Sequence, residues 1–301
     1  MAHTWFITGA SSGFGAAFAH HALSQGHNVV VTARRLGKLQ QIAALAPDRV
    51  LAHTMDVTDT AQIIKAIKAA EDRFGGIDVL VNNAGYGIVG AVEETPKAEL
   101  RAMMETNFFG AVAVTQAALP MMRKRRKGAI VMMSSLGGQL SFGGFGPNSA
   151  TKFALEGMTE ALSQEIAPFG LKAMIVEPGA FRTEFADTAL RHMPKIDAYD
   201  EIVGGTRDFA RGMHGTQAGD PAKAAAAIET ALNSQTTPMR LALGDDAVDA
   251  IRDHGEALLA ELTQWEPSPV RSTTPMPCKA PRKLSGWPHF GGHPSLDTQR
   301  R

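Results

Sequence analysis

The chain is poor in the residues that would tie it to a secreted, membrane or nucleic-acid setting. It holds one cysteine in 301 residues, Cys278, which excludes an internal disulfide framework. It has no surplus charge: 30 Lys and Arg balance 30 Asp and Glu, and the pI is near 7.2. No electrostatic footprint therefore points to nucleic acid or an anionic membrane. No stretch reaches the roughly eighteen uninterrupted apolar residues that a membrane span needs. The opening residues 1–6 lead into no long apolar run with a cleavage site. Tyrosine is scarce as well, with only Tyr86 and Tyr199. The expectation is a soluble, cytoplasmic protein with a small-molecule substrate and no assigned metal site, long enough for a sizeable core.

What the chain does have is alternation. Short β-branched or apolar runs alternate with longer helical patterns, the signature of βαβ units and a parallel sheet. Strands are expected at about 4–8, 28–33, 50–54, 79–82, 129–133, 172–177 and 240–243. Helices are expected from near Gly13 and over about 60–74, 96–122, 147–167, 221–233 and 246–262, with Pro147 at a helix-start position. The basic run Arg123–Lys127 reads as a solvated helix C-terminus, well placed for the dipole. Residues 180–219 keep no clean period and carry several glycines, so they read as a substrate lid rather than core. From Glu266 onward, seven of the sixteen prolines fall in 36 residues; 266–301 is expected to be a disordered or surface-laid tail on a 1–265 domain.

Chemistry concentrates at the ends of the expected strands. Thr8-Gly9-Ala10-Ser11-Ser12-Gly13-Phe14-Gly15 sits where the first strand meets the first helix. Glycines there let the backbone turn tightly and approach a pyrophosphate, while N–H groups at the helix start point towards its charge. Such a turn alone is a weak signal, because a few glycines after a strand also make ordinary turns. The second strand ends in Ala33-Arg34-Arg35, with no acid. A guanidinium pair suits a ribose 2′-phosphate and favours NADP(H) over NAD(H); the alternative is that both arginines only decorate a loop. Asp56 and Val57 follow the third strand, at an adenine edge or as part of a helix cap.

Several further segments resemble the short-chain dehydrogenase/reductase family. Asn82-Asn83-Ala84-Gly85 closes the fourth strand as the family's N-N-A-G does, and Asn107 lies 24 residues beyond Asn83. Ser135 lies 13 residues before Asn148, which is four before Lys152, the intervals of the family's Ser and Tyr-x-x-x-Lys. Pro178-Gly179-Ala180-Phe181-Arg182-Thr183 matches the segment that holds the nicotinamide carboxamide in relatives. The spacing T-G-x-x-x-G-x-G is also the family's own. The resemblance covers about residues 4–262 and implies a Rossmann-type, doubly wound sheet of seven parallel strands, order 3-2-1-4-5-6-7, with helices on both faces. It implies hydride transfer between a nicotinamide and a carbonyl or carbinol carbon, with Ser135 positioning the substrate oxygen, Lys152 binding the ribose and Asn107 supporting a water relay. Cofactor contacts are implied for Gly9, Ser11, Ser12, Gly13, Phe14, Gly15, Arg34, Arg35, Asp56, Val57, Asn83, Ala84, Gly85, Lys152, Pro178, Gly179, Phe181 and Thr183.

At the family's tyrosine position stands Asn148. A phenol can be tuned towards working pH by a neighbouring ammonium, whereas a carboxamide has no dissociable proton in that range. Loss of a positioned general acid costs roughly a hundred- to ten-thousand-fold in rate. The expectation is cofactor binding with strongly reduced turnover. The alternatives are a non-catalytic NADP-binding sensor, or altered chemistry that needs no strong acid. Tyr86 is expected to fill space near the cofactor; Tyr199, His192 and His214 lie in the lid, where the alternative of a proton donor to the substrate gives way to the reading of solvent-facing lid residues that do not replace the tyrosine. The Gly- and Phe-containing loop 137–146 suggests a lipophilic carbonyl or alcohol. By resemblance, the helices at 96–122 and 147–167 form the seam of a homodimer or homotetramer.

Overall fold

The computed structural model describes residues 2–265; the Pro-rich segment 266–301, with the expectation attached to it, lies outside the described residues. In chain order the elements are β1 (Thr4–Thr8), α1 (Gly13–Ser24), β2 (Asn28–Ala33), α2 (Leu36–Leu45), β3 (Val50–Thr54), α3 (Thr60–Phe74), β4 (Val79–Asn82), β5 (Gly87–Val89), α4 (Lys97–Met104), α5 (Gly110–Arg125), β6 (Gly128–Met133), α6 (Gly146–Ile166), β7 (Leu171–Pro178), α7 (Phe185–Thr188), β8 (Leu190–His192), α8 (Asp200–Gly212), α9 (Pro221–Asn233), β9 (Arg240–Leu243) and α10 (Asp245–Trp265). The main sheet is seven-stranded and parallel, in the order β3-β2-β1-β4-β6-β7-β9. This is the expected doubly wound topology, reversing direction between β1 and β4.

The central strands are buried on both faces, which is why they read as nearly continuous apolar runs, while the edge strands β3 and β9 are only partly covered. Their side chains alternate strictly between two cores. Trp5, Ile7, Val29, Val31, Val79, Val81, Val131 and Val176 face one side, where Phe18 and Ala22 of α1, Leu39 and Ile42 of α2 and Ile228 of α9 cover them. Phe6, Val30, Leu80, Ile130 and Met132 face the other, against Ile63 and Ile67 of α3, Val114 and Met122 of α5, and Leu155 and Leu162 of α6. Burying such side chains contributes roughly 1.5–3 kcal/mol each. On the first side, His21 of α1 and His27 of the turn before β2 both meet the Glu229 carboxylate, tying that corner to α9.

Three readings need correction. The helix expected over 96–122 runs from Lys97 to Arg125 and changes geometry midway, through a π-helical turn at Glu105–Phe109. The basic run is not merely solvated. Arg125 pairs with Asp78 and the Ile77 carbonyl, Lys127 also reaches Asp78, and Arg126 ends α5 in a left-handed turn at φ 52°. Residues 180–219 are not a coreless lid: β8 pairs in parallel with β5 in a small second sheet. Val203 and Ala210 of α8 are buried there, and Arg207 forms a buried ion pair with Glu94.

By its internal contacts the chain divides into two units, Met1–Gly255 and Glu256–Arg301. The first holds both sheets. The second is described as far as Trp265, as helix with Leu258, Leu259, Leu262 and Trp265 exposed.

Candidate active site

The turn after β1 is shaped by close approach. Gly9 has φ +65° and Gly13 φ +54°, in the left-handed region that glycine adopts without strain. A Cβ on Gly9 would fall 2.9 Å from the Ala84 Cα, and one on Gly15 would fall 2.7 Å from the Asn83 Nδ2. The N-N-A-G turn after β4 therefore rests directly on the glycine turn. Asn83 Nδ2 donates to the Thr8 and Gly9 carbonyls, while the Asn83 and Ala84 N–H groups both donate to Thr8 Oγ1. Ser12 precedes α1 in extended conformation, and its side chain does not cap the helix. The first N–H groups of α1 thus receive no side-chain cap from it. Arg34 and Arg35 are exposed beside this mouth, and neither forms an ion pair among the described residues. Asp56 accepts from Thr58 N and Oγ1, whereas the cap of α3 comes from Asp59. Val57 is buried against Gly110.

Two asparagines perform matching tasks one strand deeper. Asn107, in the π-helical turn, accepts from Tyr86 N (3.0 Å) and donates to Tyr86 O (2.8 Å). Asn148, near the start of α6, accepts from Ile88 N (3.0 Å) and donates to Ile88 O (3.2 Å). Each carboxamide thus substitutes for a neighbouring strand, and together they bracket β5. One turn after Asn148, the Lys152 Nζ donates to the Met133 carbonyl at the end of β6 (2.7 Å). Burial pushes its ammonium down to about 8, against the opposing pull of Glu156. Ser135 leaves the same strand end, its Oγ accepting from Gly137 N.

These groups line one cavity of about 670 Å³. Asn107, Ser135, Asn148 and Lys152 share its wall with Phe14, Asn83, Gly85, Pro178, Gly179, Phe181 and Thr183. The outer wall is apolar: Phe142, Phe145, Phe185, Leu190, Phe209 and Met213. The structure brings together residues from the ends of β1, β4, β6 and β7, as the sequence intervals implied. The glycine turn of β1 is represented on this wall by Phe14; Gly13 lines an adjoining hollow with Arg182, Thr183, His214 and Asp220. Tyr86 lines the cavity, its ring 4.4 Å beneath the Arg191 guanidinium and its hydroxyl without a partner among the described residues. Tyr199 does not reach it, because its hydroxyl donates to Glu93 on the surface. His192 and His214 are also absent from its wall.

Sequence reading missed a buried polar cluster behind the site. Glu156, one turn beyond Lys152 and 2% exposed, accepts from Ser134 Oγ, Gln139 Nε2 and Arg240 Nη1. Arg240 also reaches Glu177 and Glu160. Burial, with Glu156 alongside, raises the Glu177 carboxyl above the ordinary range. The one available signal was the i, i+4 placement of Glu156 after Lys152, but its partners come from the segment after β6 and from β9. Gln217, buried on the cavity wall, gave no signal at all.

Comparison with known proteins agrees with this geometry. The short chain dehydrogenase family model matches residues 3–194. An oxidoreductase of Botryotinia fuckeliana is 36% identical over 266 residues, covering 88% of this chain and 97% of the relative. A 3-ketodihydrosphingosine reductase of Bacteroides thetaiotaomicron is 40% identical over 208 residues, covering 68% of this chain and 70% of the relative. The crystal structure of a short-chain dehydrogenase from Streptomyces avermitilis superposes with TM-score 0.84 at 50% identity, covering 88% of this chain and 97% of that one. With fold, strand-end turns and relatives all in accord, the chain belongs to the short-chain dehydrogenase family, the oxidoreductases that work with a nicotinamide dinucleotide.

Proposed function

We propose that the chain is an NADP(H)-dependent oxidoreductase of a lipophilic carbonyl or alcohol, with turnover held down by Asn148 where relatives carry the proton-handling tyrosine. The observation that carries this reading is the single cavity shared by Ser135, Lys152 and the Pro178–Thr183 segment, at the mouth of the glycine turn. The residues fit the cofactor. Gly9 and Gly15 leave a cradle that a Cβ would fill, and the start of α1 is free of a side-chain cap. Gly9, Ser11, Ser12, Gly13, Phe14 and Gly15 would hold the diphosphate, with Arg34 and Arg35 at the 2′-phosphate. Asp56, Val57, Asn83, Ala84 and Gly85 would flank the adenosine half; Lys152, Pro178, Gly179, Phe181 and Thr183 would hold the nicotinamide half. When bound, the dinucleotide supplies or takes up hydride at its nicotinamide ring.

The chain's own groups divide the remaining work. Ser135 Oγ offers a hydrogen bond to a substrate oxygen. Lys152 holds a proton near working pH at Nζ, whereas Asn148 commits both ends of its carboxamide to Ile88. The phenyl-rich outer wall supports an apolar substrate, as does the relative named for a ketone on a long apolar chain. Exposed Phe109, Phe153 and Met158, on the outer faces of the helices around the π-helical turn and α6, support self-association as a homodimer or homotetramer. We read residues 1–265 as one cofactor-binding domain in a cytoplasmic protein.

The test pairs NADPH and NADH calorimetry with turnover over a panel of aliphatic ketones, for the chain as it stands and for Asn148→Tyr. NADPH should bind more tightly than NADH, and the substitution should raise turnover about a hundred- to ten-thousand-fold. Ordinary enzyme rates without the substitution would overturn the role given to Asn148. A second reading, a cofactor-binding sensor without turnover, is favoured by the full engagement of the Asn148 amide. Tight NADPH binding with no turnover in either form would select it.

A further inference from the structure

Behind the cavity, one carboxylate gathers contacts from both ends of a loop. Residues 134–139 lead out of β6 and carry Ser135 on the cavity wall. Within the loop, Gly138 N donates to Ser135 O (2.9 Å), Gln139 N to Leu136 O (3.0 Å) and Gly137 N to Ser135 Oγ (3.1 Å). Such internal bonds fix its shape but not its place. The near end is placed by the sheet, where Ser134 N donates to Val176 O (2.8 Å); just past the far end, Ser149 Oγ reaches Leu140 O at 3.5 Å. Between them lies Glu156 of α6. Ser134 Oγ donates to its Oε1, Gln139 Nε2 donates to its Oε2, and a Cβ on Gly138 would fall 1.8 Å from Oε1. The loop therefore rests directly on this buried carboxylate. Lys152, one turn earlier on α6, grips the preceding residue, its Nζ donating to Met133 O (2.7 Å). Arg240 of β9 closes the other side of Glu156 and also reaches Glu177 of β7 and Glu160, the remaining charged groups of the cluster. With both oxygens engaged, a buried network of this kind favours one arrangement.

We propose that Glu156 is a positioning residue, whose carboxylate fixes the Ser135 loop against α6 and so holds Ser135 and Lys152 in one register on the cavity wall. The inference rests on the dinucleotide and carbonyl reading above, in which those two side chains meet substrate and cofactor. Charge is essential to the role. A carboxamide of the same size turns one of the two acceptor oxygens into a donor, so at least one of Ser134, Gln139 and Arg240 must turn or lose its partner.

The experiment compares the full chain with Glu156→Gln, Gln139→Leu and Glu160→Gln; the last removes an exposed partner of Arg240 that makes no hydrogen bond to the loop. Two measurements need neither cofactor nor substrate: hydrogen exchange of the Gly137 and Gly138 amides, and the pH midpoint for acylation of Lys152, which burial sets at about 8 against the pull of Glu156. Glu156→Gln should speed that exchange about tenfold, and Lys152 acylation at pH 7 roughly three- to tenfold through a lower midpoint. Glu160→Gln should change neither. In the Asn148→Tyr background, Glu156→Gln should lower kcat for ketones about ten- to a hundredfold with KM nearly constant, since the Ser135 bond to the substrate oxygen strengthens in the transition state. Gln139→Leu, which keeps the Glu156 charge, carries the test if Glu156→Gln fails to fold: exchange should rise and kcat fall while the acylation midpoint stays in place. A folded Glu156→Gln that matches the parent in exchange and midpoint overturns the inference, and so does either response with kcat unchanged. Failure of the chain to bind NADPH or, as Asn148→Tyr, to turn over any ketone overturns the reading of the site, and the inference with it. The two cofactor-free measurements tell that failure from a failure of Glu156.

Discussion

The glycine turn after β1 and the 180–219 segment both border the cavity, but they are built in opposite ways. The turn is held from close by: positive φ at Gly9 and Gly13, and the Asn83 and Ala84 N–H groups donating to the Thr8 hydroxyl. The segment is held by side chains from far along the chain. Glu94 receives Arg207 Nη2 as well as the Ala91 and Ile196 N–H groups, and Arg207 in turn donates to the Met193 carbonyl. Burial by itself would raise the Glu94 carboxyl, but these hydrogen bonds hold it below the ordinary range. One region depends on glycines that let two turns touch, the other on strand pairing backed by one buried charge pair.

The difference can be broken most forcefully at that pair. Arg207→Met leaves the buried Glu94 charge without its cation, with only the Ala91 and Ile196 N–H groups to hold it, and should cost the segment about 3–5 kcal/mol. Hydrogen exchange of α8 amides reads this; unchanged protection would show that the pair is not what holds the segment. Next in size, Gly9→Val forces a β-branched residue to φ +65° with its Cβ against Ala84, a strain of roughly 1–3 kcal/mol. The melting temperature and NADPH affinity should fall together, while exchange in α8 stays as in the parent. Loss of α8 protection as well would erase the contrast.

The smallest effect concerns pH. Unfolded, Lys152 keeps its proton up to the ordinary 10.5, but folded it releases it at about 8. The unfolded state thus binds more protons between those values, so this residue's contribution to stability rises with pH across that window and is least favourable below 8. Acylation of Lys152 by an amine-selective reagent should accelerate through about pH 8, well below the solvent-facing lysines. A midpoint near 10.5 would mean that Nζ is solvated.

Legibility followed the same divide. The strand ends and the glycine turn could be read because each is a local pattern that the backbone itself imposes, and the intervals to Ser135 and Lys152 because they resemble a known family's spacing. By contrast, β5 and β8 are three-residue strands about a hundred residues apart, with no period to detect. Asn107 and Asn148 were found by spacing, yet their grip on Tyr86 and Ile88 was not, because that depends on β5 lying beside them. Glu94, Arg207, Glu156 and Gln217 are polar residues whose burial comes from distant partners. Read singly, each looks like surface.

The pairing of β8 with β5 stitches the 180–219 ribbon down, and the Phe181–Gly219 bridge draws its two ends together, with α8 suspended between the two. A ribbon so fastened has little slack to yield to a bulky guest. The range of molecules admitted is therefore written in what α8 turns inward, Gly205, Thr206 and Phe209. Evolution or an engineer would change the guest by recarving those three positions, leaving the fastenings alone.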